Sequence, residues 1–153
     1  MANTYTQINI HAIFSVKGRE NILPKKYNEE LFRYISGILN NNKQYSLAVN
    51  GYRDHVHLFF EIHPTICLSD IIRIVKANSS KWVNENRWIK GKFAWQEGYG
   101  AFSHSRTQRN DVIKYIINQE EHHRKRTFKE EYLDLLDKFK IDFDENYVFE
   151  FYD

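Results

Sequence analysis

The sequence predicts an α+β domain built on one antiparallel sheet, with the element order βαββαβ. Apolar residues recur at every second position in four segments, and at helical spacing in the segments between and after them. The 153 residues are 42% hydrophobic and contain no repeat or linker, which fits one domain with its own core. We expect a single domain over residues 1–153, with the core at about 4–126 and an acidic C-terminal helix and tail at 127–153.

Periodicity and turn residues define the first strand, the first helix and the hairpin that follows. The first strand alternates apolar and polar side chains, so one of its faces is expected to be buried. Pro24 opens the first helix, and Asn50-Gly51 suits the turn between the next two strands. We predict strands at 5–16, 45–49 and 55–62, and a helix from 24 to about 42.

The second half of the chain supplies the remaining elements. Ser69 is a plausible N-cap for the second helix, and the glycine-containing segment 98–100 is expected to end the fourth strand. The order is ferredoxin-like, a fold that packs two helices on one face of the sheet and leaves the other available. We predict a helix from 69 to about 82, a strand at 93–97, helices at 110–125 and 130–139, and an extended tail at 147–152.

Charge is distributed unevenly along the chain. Residues 129–153 carry three basic and nine acidic side chains, whereas the first 128 residues carry nineteen basic and eleven acidic ones. This pattern is compatible with a nucleic-acid partner, and an ordinary solvated surface would explain it equally well. The chain has one cysteine, no signal-peptide pattern and no apolar run near the ~20 residues of a membrane span. We expect a soluble cytoplasmic protein.

Two histidines lie two residues apart at the start of the third predicted strand, in the stretch Asp54-His55-Val56-His57. Because side chains alternate along a strand, His55 and His57 point to the same face. Neutral imidazole is a common metal ligand, and this spacing brings two nitrogens within reach of one ion. The alternative is the polar face of a half-exposed strand. Asp54 is either a partner that orients His55 or a turn residue.

The helix predicted at 110–125 supplies two further groups. Tyr115 and Gln119 are spaced i, i+4 and therefore share a helical face. Gln119 offers a carbonyl oxygen that suits Mg²⁺ or Mn²⁺, and Tyr115 offers a phenol that can act as a nucleophile. A core tyrosine beside a surface amide is the alternative interpretation.

The histidine pair and the Y-x-x-x-Q helix, taken together, resemble a known family. The chain is similar to the single-tyrosine HUH transposases of the insertion-sequence 200/605 type, in the superfamily of REP-associated tyrosine transposases. The motif positions show no departure from the family. The resemblance covers nearly the whole chain, including the stretches YTQINIHAIFSVKGRE, SDIIRIVKANSSKWVNE, FAWQEGYGAFSHS and VIKYIINQEEHHRKRTFKEEY.

This resemblance implies a function for each motif residue. His55, His57 and Gln119 would hold one divalent cation, Mg²⁺ or Mn²⁺, and Tyr115 would attack a phosphodiester of single-stranded DNA. The products would be a 5′-phosphotyrosine link and a free 3′-OH, and a second attack by a 3′-OH would reseal strands. Such enzymes typically work as homodimers that excise and insert an insertion sequence and recognise hairpins near its ends. The bacterial protein would then be nucleoid-associated when bound to DNA.

Several basic residues outside the motif are candidates for DNA contacts, with a solvated surface as the alternative. We expect His122 and His123 at the surface or on DNA rather than on the metal. Two other functions stay open: a non-catalytic or domesticated protein that binds single-stranded nucleic acid, and a metal-dependent nuclease that uses water instead of Tyr115. The basic candidates are Lys76, Lys81, Arg87, Arg106, Arg109 and Arg124.

Overall fold

Four strands form one antiparallel sheet in a computed structural model that describes residues 3–152. The strands are β1 (Asn9–Ser15), β2 (Tyr45–Gly51), β3 (His55–Glu61) and β4 (Gly100–His104). Their order across the sheet is β2-β3-β1-β4, with every neighbouring pair antiparallel. The predicted ferredoxin-like βαββαβ arrangement is therefore confirmed.

Helices cover both faces of this sheet. α1 and α2 pack on one face, where the main core buries Ala12, Leu58 and Phe60 completely. The prediction that the other face stays available is wrong, because the C-terminal helices cover it. The helices are α1 (Lys25–Asn41), α2 (Leu68–Asn86), α3 (Arg109–Ile117), α4 (Gln119–His122) and α5 (Phe128–Lys138).

The covered second face explains why β1 and β3 are buried on both sides. α3 packs Val112 and Ile116 against Phe59 of β3. α5 begins with Phe128, whose ring stacks on that of His55 with 3.8 Å between centroids. The prediction of a single buried face for the first strand is thus wrong, since the C-terminal helices exclude solvent from the other face of the sheet.

The fourth strand begins later than predicted. Apart from one isolated bridge, residues 93–97 pair with no strand among the described residues. The Asn84 side chain satisfies the backbone of Phe93 instead, accepting from its N–H at 2.7 Å and donating to its carbonyl at 3.1 Å. Gly100, predicted to lie in a strand-ending segment, instead starts β4, where it pairs with Ile13 of β1. A larger residue would not fit there, because a Cβ would lie 2.7 Å from Cε1 of Tyr132.

The helix predicted at 110–125 is broken at Asn118 into α3 and α4. The Asn50 side chain on β2 donates to the carbonyls of Ile116 and Ile117, both at 3.0 Å. An edge strand thus caps the end of α3, and these carbonyls are satisfied without another helical turn.

Smaller differences concern helix starts and the tail. The N-cap of α2 is Cys67 rather than Ser69, and α5 begins at Phe128, two residues earlier than predicted. A 3-10 turn, Glu145–Tyr147, precedes the extended tail. Within residues 3–152, no helix has the length and apolarity that crossing a bilayer requires.

Candidate metal and tyrosine site

The two histidines of β3 share a face, as predicted. Their rings meet edge to face with 5.1 Å between centroids, and His55 and His57 are 2% and 0% exposed. β3 lies between β2 and β1, and α5 covers the histidines from above. The alternative of a half-exposed polar strand is therefore wrong.

The Nδ1 atom of each histidine is held by a buried partner. Nδ1 of His55 lies 2.8 Å from Oδ1 of Asp54, and Nδ1 of His57 lies 2.8 Å from Nε2 of His11. Fixing Nδ1 in this way sets the ring orientation and directs both Nε2 atoms into the protein. Asp54 therefore orients His55, and His11 does the same for His57.

Tyr115 and Gln119 reach the same space from the helices on this face. Gln119 is 0% exposed, and its Oε1 lies 3.1 Å from Nε2 of His55. The ring of Tyr115 lies 5.9 Å from that of His57, edge to face. The fold thus brings all four motif residues together, and the alternative of a surface amide is wrong.

A carboxylate that was not predicted, that of Glu131 on α5, lies at the centre of the cluster. Its Oε2 accepts hydrogen bonds from the Tyr115 hydroxyl and, at 3.1 Å, from the Gln119 amide. Its Oε1 lies 3.4 Å from Nε2 of His55 and 3.3 Å from Nε2 of His57. The Glu131 side chain is 0% exposed.

His123 is a second unexpected member. Its Nε2 lies 3.4 Å from Oε1 of Glu131 and 3.2 Å from Oε1 of Gln119, and its side chain is 3% exposed. The predicted surface position is therefore wrong for the His123 side chain, whereas the predicted preference for DNA contact over metal ligation stays a prediction. A sequence signal for Glu131 exists: with Phe128, Tyr132 and Leu135 it forms an i, i+3, i+4, i+7 stripe, so a carboxylate occupies the apolar face of an amphipathic helix.

The electrostatics of the cluster follow from burial and close contacts. Burial raises the pKa of Glu131, but the close approach of the His123, His55 and His57 imidazoles outweighs it and holds that pKa far below its usual range. Burial lowers the pKa of His55, but Asp54 and Glu131 raise it to about 9. Burial and the Glu131 carboxylate raise the pKa of Tyr115. In the absence of a cation the phenol is therefore protonated and Glu131 is ionised.

The donor atoms fit a divalent cation. Nε2 of His57 and Oε1 of Glu131 are buried and have no hydrogen-bond partner within the described residues. One atom each of His55, His57 and Glu131 lie within 4.8 Å of one another. Imidazole nitrogen and carboxylate oxygen are common ligands of divalent metals, and an ion between them would satisfy both unpartnered atoms.

The basic candidates for DNA contacts have different surroundings. Lys76 donates to the carbonyls of Gln96 and Gly98 at 2.8 and 2.5 Å, and Arg109 pairs with Glu61 at 3.0 Å. These two side chains thus stabilise the protein itself. The other four are exposed: Lys81, Arg87, Arg106 and Arg124.

A basic cleft of about 520 Å³ opens next to the buried cluster. Tyr52, Asp54 and His123 are among its lining residues, and the Tyr52 ring stacks on that of His123 with 4.8 Å between centroids. The cleft therefore connects a positively charged surface with Asp54, which contacts His55, and with His123, which contacts Glu131. Its cationic lining comprises Arg19, Arg53, Arg124, Lys125 and Arg126.

Comparison with known proteins identifies the class to which this fold and site belong. The family model described as "Transposase IS200 like" matches residues 4–119, which include the whole sheet, both histidines, Tyr115 and Gln119. The chain belongs to the IS200-like transposase family, a class of enzymes that cut and join DNA. A curated relative, the ISDra2 transposase TnpA of Deinococcus radiodurans, is 25% identical over 120 residues, which cover 74% of this chain and 84% of the relative.

Two solved structures share the fold. A candidate transposase from Deinococcus radiodurans R1 superimposes with a TM-score of 0.61 at 21% identity, covering 78% of this chain and 95% of its own. A REP-associated tyrosine transposase bound to a REP hairpin superimposes with a TM-score of 0.58 at 13% identity, covering 80% of this chain and 73% of its own. Both confirm the α+β architecture of the chain.

Proposed function

We propose that this transposase cuts and joins single-stranded DNA through Tyr115, beside a divalent cation held by His55, His57 and Gln119. One observation carries the proposal: the Tyr115 hydroxyl and the Nε2 atoms of both histidines converge on one buried carboxylate, that of Glu131. A phosphodiester brought to this point would meet a nucleophile and a cation site together.

The covalent step follows from these positions. A cation bound at the histidines supplies positive charge to the scissile phosphate and its transition state. The phenol oxygen of Tyr115 bonds to phosphorus, and the bond between phosphorus and the 3′ oxygen breaks. The phenol loses a proton and the leaving oxygen gains one, which leaves a 5′-phosphotyrosine and a free 3′-OH. Attack by a 3′-OH on the phosphotyrosine reverses these bond changes and joins strands without an external energy source.

The basic cleft supports a nucleic-acid substrate. Its arginines and lysine can neutralise phosphates, and Tyr52, which stacks on His123, offers an aromatic ring next to the cluster. The structural relative bound to a REP hairpin supports hairpin ends of a mobile element as the DNA recognised here. We propose further that the working form is a homodimer, in which pairing between copies can protect an edge strand of the sheet.

The test uses labelled single-stranded oligonucleotides that cover both flanks of the encoding element. In Mn²⁺ the wild-type protein should form a covalent adduct on the 5′ phosphate and release a fragment with a 3′-OH, and EDTA should prevent both. Tyr115→Phe removes only the hydroxyl, so adducts should vanish while hairpin binding survives. Tyr99→Phe is the matched control and should form adducts normally.

Two results would contradict the proposal. Undiminished adducts with Tyr115→Phe would assign the nucleophile elsewhere, with Tyr99 the first to test. Metal-dependent cleavage without any adduct, retained in Tyr115→Phe, would identify a nuclease that uses an activated water. Duplex oligonucleotides of the same sequence should remain uncut.

A further inference from the structure

We propose that Glu131 is itself a ligand of the cation, and that it makes the site selective for a transition metal over Mg²⁺. The inference rests on the proposed function, because it concerns the same cation. Glu131 lies on α5, beyond residue 119 where the family match ends. The ligand would therefore come from a part of the chain that the shared family region does not include.

The spacing of the donor atoms is that of ligands around one ion. Oε1 of Glu131 lies 3.4, 3.3 and 3.4 Å from the Nε2 atoms of His55, His57 and His123. Two ligands at about 2.1 Å from one metal, at tetrahedral or octahedral angles, are about 3.0–3.4 Å apart. Oε1 makes no hydrogen bond with any residue that the structure describes. Without an ion these approaches are contacts between imidazoles and a carboxylate, and a bound ion would satisfy Oε1 and hold all three nitrogens at the same spacing.

The other carboxylate oxygen fixes this orientation. Oε2 accepts hydrogen bonds from the Tyr115 hydroxyl and the Gln119 amide, which leaves Oε1 directed at the histidines. One carboxylate therefore links the nucleophile to the cation site. Glu131 would hold the phenol at a constant distance from the metal before DNA arrives.

The ligand chemistry indicates which cation is preferred. His123 adds a third imidazole nitrogen to those of the histidine pair, beside the oxygens of Glu131 and Gln119. Mg²⁺ prefers oxygen ligands and retains its waters, whereas first-row transition metals bind sites with nitrogen donors with an affinity that rises along the series from Mn²⁺. A dry site with three nitrogens should bind Mn²⁺ more tightly than Mg²⁺.

The test measures metal binding directly, without DNA. Free Mn²⁺ is followed by electron paramagnetic resonance during titration of the full-length protein. Glu131→Gln preserves the shape of the side chain and one oxygen that can accept from Tyr115 and Gln119, but replaces Oε1 with an amide nitrogen. It should weaken Mn²⁺ binding at least about tenfold, as for loss of a metal-site group. Glu130→Gln is the matched control on the exposed side of α5 and should bind normally. Mg²⁺ should displace Mn²⁺ from the wild-type protein only at more than about tenfold excess.

Equal Mn²⁺ affinity in the wild type and Glu131→Gln, or displacement by equimolar Mg²⁺, would overturn the inference. If circular dichroism shows that Glu131→Gln does not fold, the metal position is determined instead by anomalous scattering from wild-type crystals soaked in Mn²⁺. A peak within about 2.0–2.3 Å of Oε1 supports the inference. A peak at the histidines with Oε1 outside bonding distance refutes it.

The two proposals can fail separately. Mn²⁺ binding that depends on Glu131, in a protein that forms no DNA adduct, would contradict the proposed function and leave the Glu131 ligand standing. If adducts require Tyr115 but Mn²⁺ binding is unchanged in Glu131→Gln, the proposed function stands and the Glu131 ligand is contradicted.

Discussion

His11 should control metal affinity without touching the metal. It is 2% exposed, its Nε2 lies 2.8 Å from Nδ1 of His57, and the two rings are stacked with 5.0 Å between centroids. A His57 that offers Nε2 to a cation carries its proton on Nδ1, so His11 must accept that proton's hydrogen bond. His11→Phe keeps a stacked ring and removes the acceptor.

The magnitude follows from the lost hydrogen bond. A buried donor without a partner costs about 1–3 kcal/mol, which corresponds to about 5- to 150-fold in an equilibrium constant. His57 can avoid this cost by moving its proton to Nε2, but that tautomer cannot bind a cation. Affinity for Mn²⁺ should therefore fall about 10- to 100-fold, the range for a partner of a metal-ligating histidine.

Isothermal titration calorimetry of Mn²⁺ binding measures this effect, and urea unfolding in EDTA separates it from a general loss of stability. His104→Phe is the matched control, because His104 lies on the same sheet face, 6.0 Å from the His11 ring, with no described hydrogen bond to either histidine of β3. The reasoning is refuted if His11→Phe binds Mn²⁺ as tightly as the wild type, or if the His104 variant loses as much.

Four further outcomes are expected. Gly51→Ala should lower the free energy of unfolding by about 1–3 kcal/mol in urea melts, because its Cβ would lie 2.9 Å from Cα of Val56. Gly37→Ala, with open space around it in α1, should raise that free energy by about 0.5–1 kcal/mol. A Gly51→Ala variant more stable than Gly37→Ala would contradict the packing described around these two glycines. Replacing both Arg53 and Lys125 by Ala should weaken single-stranded DNA binding and reduce the slope of log affinity against log salt by about 1.4. An unchanged slope would show that DNA does not bind in the cleft. Light scattering should give a dimer, and a fully active monomer would count against it.

Local sequence patterns predicted the elements that are marked by alternation of apolar residues or by a helix-start residue. The alternation around His57 identified β3 and the face of its histidines, and Pro24 marked the start of α1 within one residue. The strand predicted at 93–97 failed because a side chain, that of Asn84, satisfies the backbone of Phe93. Nothing in the local pattern of residues 93–97 reveals a hydrogen bond to a distant asparagine.

The site was predicted as far as its residues lie in short motifs. His55 and Tyr115 belong to such motifs, whereas Glu131 is one of nine acidic residues in a stretch that looks solvated. Its burial depends on α5 folding back over the sheet, a long-range contact that composition does not encode. The i, i+3, i+4, i+7 stripe on α5 was the available signal, and the charge on its apolar face is the physical anomaly.

The packing of α5 over the sheet also limits how far the chain can be shortened without losing the site. A fragment that stops at residue 119 would keep every motif residue, yet it would strip the Phe128 ring from His55, where the two planes lie 6° apart. Water would then reach the imidazoles, and the phenol would lose its only carboxylate acceptor among the described residues. A shortened version of this enzyme should therefore keep α5 and also the tail, because the Phe149 ring packs on Phe128 and Tyr132 of α5.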